Sequence, residues 1–175
     1  MLQNRHSPSK IFEIHLPGDE IPSWFTRQVW GSSSISLTLH PNWCTNDWIG
    51  FALSFCVATN KDYYFQIKIN QEGRGFGDVP RTARAFRIAN HHHLLVYLPR
   101  TYFHTEWHNK LGDIQFSFHP KLLFGGSVEF KQCGVRLVYE QDIEKLYLTA
   151  THEPIELQQP RCRFPDNETF FFGVI

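Results

Sequence analysis

The strongest constraint on this chain is a hydrophobic period of two that recurs along most of its length. Ile35, Leu37 and Leu39 alternate with Ser34, Ser36 and Thr38. Ile49, Phe51, Leu53, Phe55 and Val57 alternate with Gly50, Ala52, Ser54 and Cys56. Tyr63, Phe65, Ile67 and Ile69 alternate with Tyr64, Gln66 and Lys68, and Ile114, Phe116 and Phe118 with Gln115, Ser117 and His119. Successive side chains of a strand point to opposite faces, so each segment reads as a strand with one buried face. Ile11 to Leu16 opens the set, and His93 to Leu98 is a more continuous apolar run closed by Pro99. Val128 to Tyr139 is a long strand whose Phe130 and Val135 lie an odd number of residues apart; a β-bulge near Gly134 returns both to one face. About eight short strands separated by Gly, Pro and Asn predict an all-β fold, an antiparallel β-sandwich.

A helical period appears at two places, Ile21 to Phe25 and Ile143, Leu146 and Tyr147. The first lies in LPGDEIPSWF, where Pro17 and Gly18 make a turn. Asp19 can then cap a helix and Pro22 is tolerated in its first turn. Ile21, Trp24 and Phe25 share one face of that turn. The expectation is one short helical plug near the N-terminus, presenting two aromatics to its own core or to a partner.

Length and charge narrow the function. A chain of 175 residues is long enough for one full core without staples. Lys+Arg and Asp+Glu balance at 17 each, which gives no support for nucleic-acid binding. No segment approaches the roughly 18 apolar residues of a membrane span, and no signal peptide is visible. Cys44, Cys56, Cys133 and Cys162 are widely spaced with no CxxC pair, which reads as reduced thiols in an intracellular protein.

Catalytic and metal signatures are weak. No phosphate-binding GxxxxGK[ST] is present, and Gly73-Arg74-Gly75-Phe76-Gly77 has no helix opening after it. His91-His92-His93 lies on a strand, so adjacent members face opposite ways and at most two can share a metal. The plainer reading is a strand start with one inward His. His152-Glu153-Pro154-Ile155-Glu156 lacks the second His of a metalloprotease helix, and Pro154 breaks the helix. The reading is a non-enzyme with no cofactor and no metal.

Two connections are long: Asn70 to Arg84, with three Gly and three Arg, and Arg100 to Asp113. Loops of this length are commonly functional. Trp24, Trp30, Trp43, Trp48 and Trp107 read as core or near-core, with Trp107 divided evenly between that and a binding role. Arg74, Phe76, Arg81 and Arg84 on the first loop, and Tyr102, Phe103, His104 and Trp107 on the second, have the composition of a protein-binding hot spot. Tyr63 and Tyr64 extend the patch.

LPGDEIPSWFTRQVWGSSSISLTLHPNW, then GFALSFCV, HHHLLVYLPR and KQCGVRLVYEQDIE resemble the C-terminal jelly-roll/Ig-like (post-LRR, C-JID) domain of plant TIR-NBS-LRR disease resistance proteins. The resemblance runs from roughly Ile11 to Leu148 in the expected order. With a tail from about Thr151 that is rich in Gln, Pro and charge, the expected division is a linker over 1–10, a jelly-roll/Ig-like sandwich over 11–150 and an extension over 151–175. The framework positions of the resemblance are Pro17, Gly18, Ile21, Pro22, Trp24, Phe25, Cys133, Gly134, Val135, Arg136 and Leu137. The resemblance further implies a recognition domain of a cytoplasmic or nuclear immune receptor. Its partners would be a pathogen effector and the receptor's own leucine-rich repeats, with no nucleic acid and no membrane. The isolated domain would be a monomer and the active receptor a tetramer. The family's NADase activity belongs to a TIR domain, and nothing in these residues matches one. The rival readings are a lectin-like sandwich, an enzyme with a scattered Cys-His pair, and a purely structural cap on the repeats.

Overall fold

The computed structural model describes residues 8–59, 63–71, 74–85, 91–108, 110–122, 126–151, 161–163 and 169–171, with backbone alone over 74–85, 91, 150–151, 161–163 and 169–171. In chain order the elements are β1 (Phe12–Pro17), β2 (Arg27–Trp30), β3 (Ser34–Leu39), β4 (Trp48–Ala58), β5 (Tyr63–Gln71), β6 (Arg74–Ala85), β7 (His91–Pro99), β8 (Gly112–Leu122), β9 (Glu129–Tyr139), α1 (Ile143–Thr151), β10 (Arg161–Arg163) and β11 (Thr169–Phe171). One sheet, A, has the order β1-β7-β4-β9-β2, and a second, B, the order β3-β8-β5-β6. Every described pairing is antiparallel. The inward residues of both sheets form one core that includes Phe51, Phe55, Phe65, Leu94, Phe116, Phe118 and Val135. This is the all-β sandwich expected from the period of two. Among the described residues, β10 and β11 pair only with each other.

Two irregularities in β4–β9 pairing reset which face each residue takes. Cys56 pairs with Gln132 but Val57 with Phe130, so Lys131 is the extra residue of a bulge. That places Phe130, Cys133 and Val135 against the same core, as the odd spacing requires, three residues before the expected Gly134. Trp48 pairs with Tyr139 and Gly50 with Val138, so Ile49 is extra. Ile49 therefore leaves the inward face of Phe51 and Leu53 and joins the outer cluster, while Trp48 turns into the core.

β4 is buried on both faces, not one. The outward face of sheet A has its own apolar cover: Ile21, Phe25 and Leu146 of α1 pack with Ala52, Cys56, Leu95, Tyr97 and Val138. The expected helical plug at Ile21–Phe25 is instead a single turn, closed by the Phe25 N–H donating to the Pro22 carbonyl at 3.1 Å. The Ile21 N–H donates to Gln132 Oε1 at 3.2 Å, which pins the segment to the sheet before a helix can propagate. Ile21 and Phe25 still share a buried face. The described helix is α1, where the second helical period lies.

Asn70 to Arg84, expected as a loop, is mostly strand. Its pairing with β5 is broken between Phe65 and Ile67 and again between Ile69 and Asn70, where Phe76 is the extra residue. Glycine and arginine without apolar alternation conceal a strand held by backbone bonding to a neighbour. Trp30, expected in the core, is 70% exposed on the edge strand β2. Its neighbour Val29 packs inward, so the alternation itself sends Trp30 out. Residues 72–73 and His152 to Glu156 lie outside the described residues.

The histidine cluster begins β7 with one inward member, as the plainer reading expects. His92 Nε2 is 2.8 Å from the Tyr63 hydroxyl inside the sandwich. His93 is buried opposite Cys56, and burial, then the neighbouring His92, pull its pKa down to about 4 against a Gly18 backbone contact that raises it. The unfolded chain therefore takes up this proton first as pH falls. Stability is full above the ordinary histidine value of about 6.5 and is lost progressively down to about pH 4, by about 3 kcal/mol in all. Urea unfolding at pH 7 and pH 4.5 should show the loss, and His93→Gln should flatten that part of the slope. An unchanged slope in the variant would assign the acid sensitivity elsewhere.

Candidate functional site

The core is aromatic at the end of the sandwich where β4 begins and β7 ends. Trp43, Trp48, Phe51 and Phe103 meet with ring centroids 4.8–6.0 Å apart. Trp43 and Trp48 are buried, as the sequence suggests. Two 3-10 turns, Arg100–Tyr102 and Thr105–Trp107, fold the second long connection onto this end. Arg100 holds it there. Its Nη1 donates to the carbonyls of Thr45 at 3.1 Å and of Asn46 and Trp48 at 3.4 Å, with the guanidinium 5.7 Å from the Trp48 ring. The Trp43 indole N–H donates to the Lys110 carbonyl at 2.9 Å, and the Lys110 ammonium lies 5.2 Å from the Trp107 ring. A segment tied this way presents its outer side chains without a large ordering cost on contact.

Of the candidates on this segment, Tyr102 and Trp107 are half-buried against the core and His104 is exposed. Phe103 is 4% exposed and Tyr63 is fully buried. Those two are corrected from surface anchors to core residues: inward strand parity places Tyr63, and the turn after Arg100 drives Phe103 into the aromatic cluster. Exposed Leu111 borders the same end, a residue without a signal in the sequence beyond its polar neighbours.

β5 and β6 divide the remaining candidates. The last residue of β5 sits beside the aromatic end, since Gln71 pairs with Ile114 and its Nε2 lies 3.5 Å from the Leu111 carbonyl. Arg74, opposite Gln71, and Phe76 are therefore on the same end as Tyr102, His104 and Trp107. Tyr64, half-buried, and Arg84, opposite it, are at the far end of β5, with Arg81 in the irregular stretch beside them. Six residues of strand separate Tyr64 from Asn70, about 20 Å. The other eight candidates thus fall into two groups, five at the aromatic end and three at the far end of β5.

Among the described residues no group of three His, Cys, Asp or Glu side chains is arranged to hold a metal ion. Cys44, Cys56 and Cys133 are free thiols, all with pKa raised by burial, so none has the thiolate character of a nucleophile. No described helix is long and apolar enough to cross a membrane.

The family model of the C-JID domain matches residues 16–144. The chain belongs to the C-JID family. One relative, the disease resistance-like protein DSC1 of Arabidopsis thaliana, is 43% identical over 56 residues, 32% of this chain and 4% of that protein. The chain thus matches only a small part of that relative's length.

The C-JID match opens on Leu16, immediately before the turn at Pro17 and Gly18, and closes at the start of α1. The two framework blocks at its ends meet in space. Ile21 and Phe25 lie on Gly134, where a Cβ would approach Phe25 Cδ1 to 3.0 Å and Ile21 Cγ2 to 3.1 Å. Arg136 joins the blocks by donating to the Trp24 carbonyl and to Asp142. Cys133 and Val135 face the core, and Leu137 packs at its margin. The C-JID signature is thus largely the cover of sheet A and the strand beneath it.

Proposed function

We propose that this chain is the non-enzymatic recognition domain of a plant TIR-type immune receptor, acting with adjoining leucine-rich repeats to bind a pathogen effector protein. Membership of the C-JID family and the resistance-like name of the relative support the receptor setting. The observation that carries the recognition role is the tied aromatic end, where Tyr102, His104, Trp107 and Leu111 reach the surface of a segment fixed by Arg100. Tyr, Trp and Arg dominate binding energy when desolvated on a firm support. The backbone of Arg74 and Phe76 lies at the same end. A standard interface buries about 1,200–2,000 Å² in total, which the domain shares with the repeats. Effector contact switches the receptor only through differential affinity; moving a closed state from 1:99 to 99:1 takes about 5.5 kcal/mol. The receptor is cytoplasmic or nuclear and assembles as a tetramer when active, while the isolated domain is a monomer.

The test is capture from extracts of infected and healthy tissue on the domain joined to its repeats, with mass spectrometry of what is retained. A pathogen protein retained only from infected tissue, and weakened by about 2 kcal/mol or more on Tyr102→Ala with Trp107→Ala, is the expected result. Retention indifferent to both changes would move specificity to the repeats and leave this domain as a cap.

A further inference from the structure

Sheet A ends on β1 at one side and on β2 at the other. β2 is four residues long, but β1 is six, and among the described residues it pairs with β7 alone. The other edge of β1 therefore carries backbone N–H and C=O groups outside the described ladder, a template on which a further strand can add. β1 holds no lysine, and no proline before its last residue, Pro17; these are two of the devices that blunt such an edge. An extended segment of the same chain lies against it instead. Cα atoms of β10 come within 8 Å of those of β1, and outside its own hairpin β1 is the element that β10 approaches most. Yet the described ladder of β10 is with β11, in the register Arg161↔Phe171, Cys162↔Phe170 and Arg163↔Thr169.

Three residues of strand reach about 10 Å along an edge of about 20 Å. A neighbour that shares no ladder with the edge shields it without being locked to it. β10, β11 and Phe12–His15 of β1 all lie outside the residues matched by the family model, so this contact stands apart from the family framework. We propose that the β10–β11 hairpin guards the free edge of β1, and that displacing it lets two copies of the chain join antiparallel through β1. A second copy is the fitting occupant. Two identical edges related by a two-fold axis present donors to each other's acceptors, and the two five-stranded sheets continue as one. The same pairing sets the outward apolar row Phe12, Ile14 and Leu16 beside its own copy. The guard goes beyond the recognition role, since no candidate recognition residue lies on β1, β10 or β11.

Sedimentation velocity on the full 175-residue chain should give a monomer. Cys162→Pro with Phe170→Pro, at positions that face each other in the hairpin, removes a backbone donor from each of its strands. That variant should sediment at twice the parent's mass at the same concentration, and circular dichroism confirms that it folds. Diluted to the monomer, its β1 amides that point away from β7 should exchange about tenfold or more faster than in the parent. Adding Trp30→Ser, at the exposed position of edge strand β2, should leave the dimer intact. A parent already dimeric, a hairpin variant that stays monomeric, β1 amides that exchange as in the parent, or a dimer lost with Trp30→Ser would each overturn the proposal. Capture of an effector through Tyr102 and Trp107 is indifferent to all of these outcomes, so the recognition role stands or falls separately.

Discussion

Replacing Gly50 by alanine is expected to leave little folded protein. Gly50 lies on β4, next to the bulge at Ile49 and between β7 and β9. A Cβ there would sit 2.2 Å from the Leu98 carbonyl oxygen and 3.0 Å from both Pro99 Cα and the Tyr97 hydroxyl oxygen. The first two are backbone atoms of a neighbouring strand and cannot rotate away. Moving β7 would strain contacts at that site, where Tyr97 donates to the Ile49 carbonyl at 2.7 Å and the Trp48 indole N–H to the Gly50 carbonyl at 2.8 Å. Backbone collisions in a close-packed interior fall in the rare class of changes costing about 4 kcal/mol or more. A domain of ordinary stability has about 5–15 kcal/mol in total. The variant should therefore be insoluble or show a urea midpoint far below that of the parent. A soluble Gly50→Ala chain within about 1 kcal/mol of the parent would mean that the β4–β7 spacing is wrong.

The second large effect belongs to Arg136. Asp142 is 1% exposed, and Arg136 Nη2 holds its Oδ1 at 2.7 Å. The Tyr139 N–H donates to the other carboxylate oxygen at 3.2 Å, and half-exposed Lys145 reaches Oδ1 only at 3.4 Å. The same guanidinium donates to the Trp24 carbonyl and lies 5.6 Å from the Trp24 ring, while the Trp24 indole donates to Thr149 of α1 at 2.8 Å. Arg136→Met keeps the stem and removes the charge, leaving a buried carboxylate with one weak cation. The expected cost is about 3 kcal/mol in urea unfolding, with faster amide exchange in α1. Adding Asp142→Leu should recover much of it, because the buried charge is then gone as well. A double variant no better than Arg136→Met would show that the loss comes from the Trp24 contacts and not from the stranded carboxylate.

The strands that alternate on one buried face were legible because a half-buried sheet imposes its period on the sequence. β6 was not, since its place depends on pairing with β5 through two irregularities, which glycine permits but does not announce. The mismatch between Phe130 and Val135 showed that a bulge must exist, but the residue that bulges is Lys131, selected by pairing with β4. At the candidate site, residue type separated aromatics from polar neighbours but could not tell Phe103, which turns into the core, from His104, which turns out. That choice is made by Arg100 tying the first 3-10 turn to the carbonyls of Thr45 and Trp48 at the start of β4. Nor could spacing along the chain reveal that Arg74 and Arg84 lie at opposite ends of a strand.

The unequal faces of the sandwich separate what must stay fixed from what is free to vary. Under the cover of sheet A, almost any replacement disturbs a packed neighbour, so the tolerated alphabet is small. The outward row of sheet B on β5, Tyr64, Gln66, Lys68 and Asn70, is half-exposed, and changes at such surface positions usually alter stability by less than about 0.5 kcal/mol. Replacements can therefore collect on that row without loss of the scaffold. Sequence drift among close kin should therefore accumulate on one side of the molecule and spare the other.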